Sequence, residues 1–158
     1  MKLLLYSVVA LFVAVFLVSC DTTKPRLTMV GEWESVSILI KVKSMRGVAN
    51  ADSVVNIPDQ AAYFKVMGEK PIHTTYKEDG SYSAIYRNGN DSILRVNLGQ
   101  WKMLNDSTLQ LVQIDPKPDT SVFGVQFLQD GAKFLRSYDY DFDGQKDDVF
   151  FGIQQKVK

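Results

Sequence analysis

From residue 29 onward, apolar and polar residues alternate along most of the chain. The apolar members of one face in each run are Val36, Ile38, Ile40 and Val42; Tyr82, Ala84 and Tyr86; Leu94, Val96 and Leu98; and Val149, Phe151, Ile153 and Val157. Because successive side chains of a strand point to opposite faces, this period of two predicts strands that each bury one face. No long stretch shows the helical period, so the pattern predicts an all-β domain.

Turn-forming residues separate these runs at regular intervals. Candidate turns lie at residues 77–80, 88–91, 105–106, 115–119 and 129–131. Several contain Asp-Gly or Asn-Gly, which adopt the positive φ that tight hairpins require. Sequential strands are therefore expected to pair antiparallel, as a meander of about eight or nine strands. Residues 44–60 interrupt the pattern and predict a long loop with a short strand near Ser53–Ile57.

So many strands without a covering helix must close on themselves or fold into two layers. Closure also removes exposed strand edges, which otherwise pair with other chains. The sequence therefore predicts a single antiparallel up-and-down β-barrel of about eight strands over residues 29–158. A two-sheet β-sandwich is the alternative.

The first twenty residues carry an export signal. Lys2 precedes an apolar run over residues 3–18, which ends in Leu17-Val18-Ser19-Cys20. As a helix this run would measure about 24 Å, shorter than the ~30 Å hydrocarbon core of a bilayer. It therefore indicates a removable signal peptide rather than a permanent anchor. A plain secretory signal and an uncleaved anchor are the alternatives.

The residues that end at Cys20 resemble the bacterial lipobox. That resemblance implies that residues 1–19 are removed, that Cys20 is lipidated, and that residues 20–28 tether the domain to the lipid bilayer. The tether carries no acidic run after the cysteine. We therefore expect a cell-envelope lipoprotein, on the periplasmic face of the outer membrane.

Charge and composition exclude several classes of function. The 158 residues include 18 Lys and Arg against 18 Asp and Glu, so no basic surface predicts nucleic-acid binding. One cysteine excludes an internal disulfide and a cysteine-rich zinc site. The one histidine, His73, lies on a predicted strand, and the chain has no Gly-x-Ser-x-Gly motif. We expect no enzyme activity.

Four short segments of the domain combine glycine, aromatic and acidic residues. They are Gly31-Glu32-Trp33, which follows a short turn, Tyr76-Lys77-Glu78-Asp79-Gly80-Ser81-Tyr82, Gly99-Gln100-Trp101 and Asp106-Ser107-Thr108-Leu109. The first resembles the start of the lipocalins, and all four resemble patterns of the lipocalin-like lipoproteins of Gram-negative bacteria. The resemblance implies an eight-stranded barrel in which Trp33 plugs the closed end. Trp33 and Val36 have opposite parity, which predicts a bulge or bend between them.

An acidic segment near the end of the chain predicts a possible calcium site. Asp139, Asp141, Asp143 and Asp147 take positions 1, 3, 5 and 9 of a calcium-loop pattern, with Gly144 at position 6. The Gln145 carbonyl would add another oxygen. The segment resembles the Asp-x-Asp-x-Asp-Gly-x-x-Asp loops of integrin-type β-propeller repeats, which implies a structural Ca²⁺. The alternative is an acidic turn whose charges are solvated.

Two classes of function remain, and no ligand-binding residue can be named from the sequence. The first is a binder of a small apolar or amphiphilic ligand inside the barrel. The second is a structural or interaction module of the cell envelope, which binds a protein or glycan through its loops. A cavity larger than ~300 Å³ with an open mouth would favour the first class. A filled barrel with an exposed aromatic patch would favour the second.

Overall fold

A computed structural model describes residues 28–157. It contains nine strands, which follow the alternating runs of the sequence closely. They are β1 (Gly31–Val42), β2 (Ser53–Ile57), β3 (His73–Tyr76), β4 (Ser81–Arg87), β5 (Ile93–Asn105), β6 (Thr108–Asp115), β7 (Asp119–Phe127), β8 (Gly131–Tyr138) and β9 (Asp148–Lys156). A 3₁₀ turn (Met45–Gly47) follows β1, and one helix, α1 (Gln60–Met67), follows β2. Among these residues, no helix is long and apolar enough to cross a membrane.

The strands form a closed antiparallel barrel. Each of β3 to β9 pairs with its neighbour in sequence, and β1 pairs with both β3 and β9, which closes the cylinder. The remaining strand, β2, pairs with the second half of β1 outside this ring of eight. The predicted up-and-down barrel is therefore confirmed, and the sandwich alternative is wrong.

A bulge in β1 changes which residues face the interior. The register against β9 shifts between Ser35 and Ser37. Trp33 and Ile38 are therefore both buried, although in a regular strand they would face opposite sides. A one-residue bulge reverses the parity of the strand that follows it. The break in parity that the sequence shows at this point corresponds to this bulge.

The two ends of the barrel differ in packing. The buried residues of one cluster lie at one end: Met29, Trp33, Tyr76, Tyr82, Leu109, Val125, Ala132 and Phe134. We call this the closed end. At the opposite end, which we call the mouth, the chain runs through the 3₁₀ turn and the β8–β9 loop. A second cluster, formed by Ile38, Ile40, Val42, Ile57 and Tyr63, lies in this half of the barrel.

Helix α1 is an element that the alternating pattern does not predict. The Asp59 carboxylate accepts a hydrogen bond from the Ala62 amide at 2.8 Å, and Gly68 ends the helix at φ 72°. Tyr63 is its one buried residue and packs in the second cluster. Strand β3 is only four residues long, so β1 continues beyond its pairing with β3. Helix α1 packs against β1 and β2.

The inner faces predicted for β5 and β9 are wrong. On β5, Leu94 and Leu98 are 53% and 44% exposed, whereas Asn97 lines the barrel interior. On β9, Phe150 packs against both clusters and Gly152 is buried, whereas Phe151 is 40% exposed. The inward positions of this strand begin with Asp148, a fully buried carboxylate, and include a glycine. Because apolar residues occupy both faces here, hydrophobic alternation alone selects the wrong one.

Candidate functional site

The interior of the barrel contains a cavity between the closed-end cluster and the mouth. Its volume is about 340 Å³, and it is partly open to solvent. This volume exceeds the ~300 Å³ at which ligand pockets begin. Side chains from β1 and β3 through β9 line it, so every strand of the ring contributes.

Aromatic side chains form much of the cavity wall. They are Tyr76, Tyr82, Tyr86, Phe123, Phe134, Tyr138 and Phe150. Several pack against one another, with ring centroids 6.1 Å apart for Tyr76 and Tyr82 and 6.3 Å apart for Phe123 and Phe134. Such contacts hold the rings in defined orientations. The wall therefore offers flat apolar faces to a ligand.

Burial raises the pKa of the phenols in this wall. It raises the pKa of Tyr82 and of Tyr138 from 10.0 to about 12, and it also raises the pKa of Tyr76 and of Tyr86. Desolvation is the largest cause in each case, because it disfavours the phenolate. At neutral pH these hydroxyls are hydrogen-bond donors and acceptors without charge.

Polar groups also reach the cavity. The Arg136 guanidinium donates a hydrogen bond to the Ser121 hydroxyl at 2.6 Å, and that hydroxyl donates to the Asp119 carboxylate at 2.9 Å. The Asn97 amide donates to the Gln113 side-chain oxygen at 2.8 Å.

Two side-chain oxygens of the cavity lining are buried without a partner in the part of the chain that the structure describes. They belong to Asn97 and Gln154. A buried polar oxygen without a hydrogen bond is costly. A ligand that supplies a donor would remove this cost.

A second cavity, of about 920 Å³, lies at the mouth and shares Arg136, Tyr138 and Phe150 with the interior. The 3₁₀ turn, helix α1 and the β8–β9 loop contribute to its lining. Phe142 on that loop is 89% exposed. The two cavities are therefore adjacent at these shared residues.

The structure buries Trp33 completely. Its indole N–H donates to the Met29 carbonyl at 2.7 Å, and the Lys156 ammonium lies 5.6 Å from the ring centroid. It belongs to the closed-end cluster. Its role as the plug of this end stays a prediction.

The predicted calcium ligands only partly converge. The carboxylates of Asp139 and Asp141 lie with that of Asp148 in a group whose ligand atoms are all within 4.8 Å of one another. Asp148, which the calcium-loop pattern does not include, is fully buried and accepts hydrogen bonds from the Lys43 amide at 2.9 Å and the Tyr140 amide at 2.6 Å.

The other predicted ligands take part in local contacts. The Asp143 carboxylate accepts a hydrogen bond from the Gln145 amide at 2.8 Å, and the Asp147 carboxylate pairs with the Lys43 ammonium at 3.7 Å. The Arg46 amide donates to the Asp141 carboxylate, which connects the β8–β9 loop to the 3₁₀ turn. Oxygen donors of this kind suit Ca²⁺, so the residues that converge fit this cation.

Cys20, the signal peptide and all but one residue of the tether lie outside residues 28–157. His73, the sole histidine of the sequence, lies on β3 with its Nε2 3.6 Å from a Glu32 carboxylate oxygen. The contact lies between the neighbouring strands β1 and β3.

No protein-family model matches the chain, and no curated protein matches it. Among solved structures, the chain is similar to a lipocalin-like protein from Bacteroides uniformis, with a TM-score of 0.47 and 10% sequence identity. The match covers 82% of this chain and 98% of that one.

Proposed function

We propose that the barrel binds a small amphiphilic molecule in its interior cavity. The observation that carries this proposal is the cavity of about 340 Å³, which is partly open and lined by both aromatic and polar side chains. An interior filled by its own side chains would instead have favoured the interaction module. The unpartnered oxygens of Asn97 and Gln154 favour a ligand with hydrogen-bonding groups over a purely apolar one.

We also propose that the protein works from a membrane surface, as a lipoprotein of the cell envelope. The support is the lipobox-like sequence that ends at Cys20. Acyl chains on this residue would hold the barrel at the membrane through the tether, since more than one chain gives stable anchoring.

Binding in the cavity can be tested with N-phenyl-1-naphthylamine, a neutral amphiphile that fluoresces in apolar surroundings. Ala84 lines the cavity, whereas Ser83 alternates with it on β4 and has no place in the lining. Ala84→Phe should therefore abolish the fluorescence increase by filling the cavity. Ser83→Phe adds the same ring to the opposite face and should leave binding unchanged.

The folded state of both variants is checked by circular dichroism. Equal binding by the two variants would show that the probe does not enter the cavity, and the proposal would fail. Absence of binding to the unmodified protein would also contradict it.

A further inference from the structure

We infer that Arg136 anchors an anionic group of the ligand, so that the barrel selects small molecules with a carboxylate attached to a flat apolar body. This inference rests on the proposed function and names the class of ligand for the same cavity. Its basis is the position of Arg136, its unused hydrogen-bond donors, and the charges that surround it.

Arg136 lies on the inner face of β8, where the interior cavity meets the cavity at the mouth. Its side chain is half-buried, and the guanidinium lies 5.5 Å from the Phe123 ring centroid and 4.8 Å from that of Tyr138. These rings hold the guanidinium in one place and reduce its contact with water. A ligand entering from the mouth passes this residue.

The guanidinium is only partly satisfied by the protein. A guanidinium has five N–H donors, and the Ser121 hydroxyl is the one acceptor that it reaches within residues 28–157. No carboxylate of that range lies within 4.0 Å of it. A half-buried guanidinium without an ion pair favours an anion, and a carboxylate matches its donors in a bidentate arrangement.

The surrounding charges do not neutralise this site. Among the residues that line the interior cavity, Arg136 and Asp119 are the two with charged side chains. Asp119 is exposed, and the Ser121 hydroxyl separates its carboxylate from the guanidinium. Solvent screens an exposed carboxylate more than a half-buried cation, so the positive charge dominates inside the cavity.

Charges at the mouth are mixed and lie farther out. Arg95 stacks on the Tyr86 ring at 3.8 Å, and Glu69, Asp139 and Asp141 line the outer cavity. The acidic residues belong to the entrance and are absent from the lining of the interior. Among the described residues that line the interior cavity, Arg136 is the one with a cationic side chain.

The experiment compares 2-naphthoate with 2-naphthamide, two probes of nearly the same shape that differ in charge. Binding to the unmodified protein is measured by calorimetry at neutral pH, where the carboxylate is ionised. We expect naphthoate to bind at least about tenfold more tightly, because only it can form a charged bidentate pair. The preference should shrink at high salt.

Two matched variants locate the effect. Arg136→Gln should reduce the preference for naphthoate to about onefold, because the affinity for naphthoate falls much more than the affinity for naphthamide. Lys133→Gln removes the same charge from the exposed face of the same strand and should keep the preference. If Arg136→Gln does not fold, Arg136→Lys serves instead. It keeps the charge but loses the bidentate geometry, and should lower the affinity for naphthoate more than the affinity for naphthamide.

Equal affinity for the two probes in the unmodified protein would overturn the inference and leave the proposed function standing. So would an equal loss of preference in Arg136→Gln and Lys133→Gln, which would indicate a general effect of charge. If neither probe binds but N-phenyl-1-naphthylamine does, the barrel binds ligands and Arg136 does not select anions. If none of the three probes binds, both the inference and the proposed function fail.

Discussion

At the scale of single residues, we predict that the closed end depends most on the side chain of Trp33. It is fully buried, and its indole N–H is satisfied by the Met29 carbonyl. Trp33→Ala should lower the free energy of unfolding by about 3–5 kcal/mol, because it leaves a large cavity in the cluster. Denaturant unfolding measures this loss.

Trp101→Ala is the control. Trp101 is only partly buried, so this substitution should lower the free energy of unfolding by less. A Trp33→Ala midpoint close to that of the unmodified protein would contradict the plug role.

Asp148 is a second fully buried residue with a structural role. Its carboxylate accepts hydrogen bonds from the backbone amides of Lys43 and Tyr140, which holds the end of β1 and the start of the β8–β9 loop to the start of β9. Asp148→Asn replaces one accepting oxygen with an amino group and should cost about 2–3 kcal/mol. Asp147→Asn, a matched neighbour that is 30% exposed, should change stability by less than about 0.5 kcal/mol. Equal effects of the two substitutions in thermal unfolding would show that burial of Asp148 has no such role.

The importance of Asp148 could not be predicted from its local sequence. Its Lys43 partner is 105 residues away, so the hydrogen bond exists only once the barrel has closed. The bulge after Ser35, in contrast, can be predicted, because a change of parity within one strand is visible in the sequence itself.

At the scale of elements, the acidic β8–β9 loop is the candidate metal site. We propose a weak structural Ca²⁺ site there, with a Kd of about 10⁻⁴–10⁻³ M, because Phe150 stands where a bidentate glutamate completes an EF-hand loop. Calcium at about ten times Kd should stabilise the fold by about 1.4 kcal/mol and raise Tm by roughly 5 °C. Magnesium should raise it less.

The carboxylates that converge allow a sharp control for calcium. Asp141→Asn should abolish the calcium-dependent shift in Tm, since Asp141 belongs to the converging group with Asp139 and Asp148. Asp143→Asn removes the same charge from the same loop and should retain most of the shift. Melting curves of the unmodified protein that are identical in calcium and in chelator would leave only a solvated acidic turn.

Short-range signals decided which elements could be predicted. The hairpin turns were predictable because Asp79-Gly80 and similar pairs specify their own geometry, and Gly80 does adopt a φ of 82°. Helix α1 has local signals too, with Asp59 at its start and Gly68 at its end. It was missed because eight residues are too few to show a helical period. The cavity was not predictable at all, since its lining comes from every strand of the ring.

At the scale of the whole molecule, buried tyrosines make the fold sensitive to alkali. Burial raises the pKa of Tyr82 and Tyr138 to about 12, and raises that of Tyr63, Tyr76 and Tyr86 as well. In the unfolded chain these phenols titrate near pH 10. Their contribution to stability is therefore complete below about pH 10 and is lost as pH rises toward 12.

A spectrophotometric titration of phenolate absorbance, followed together with circular dichroism, measures this effect. We expect most of the absorbance change to appear late and to coincide with unfolding. The chain in guanidinium chloride should titrate near pH 10. Ionisation of all tyrosines near that pH with the barrel intact would contradict the prediction.

At the scale of the whole molecule, we also propose that attachment to the membrane depends on one residue, Cys20. Cys20→Ala should block processing of the signal peptide and incorporation of radiolabelled palmitate, and should release the protein from the membrane fraction. Cys20→Ser is a closer match in size and should fail in the same way, because thioether formation requires the thiol. Equal palmitate labelling of Cys20→Ala and the unmodified protein would show that Cys20 is not the lipidation site.

The pairing of β1 with β9 has a consequence for how such an anchored barrel faces its surroundings. Trp33 lies opposite Lys156, so the described chain both enters and leaves the barrel at the closed end. A lipid tether that precedes residue 29 would therefore hold the closed end toward the bilayer and direct the mouth away from it. The 12 residues of β1, tilted as in other barrels, would place the mouth roughly 30 Å farther out. Ligands would then exchange with the aqueous compartment or with a soluble carrier, and not directly with the lipid to which the protein is bound.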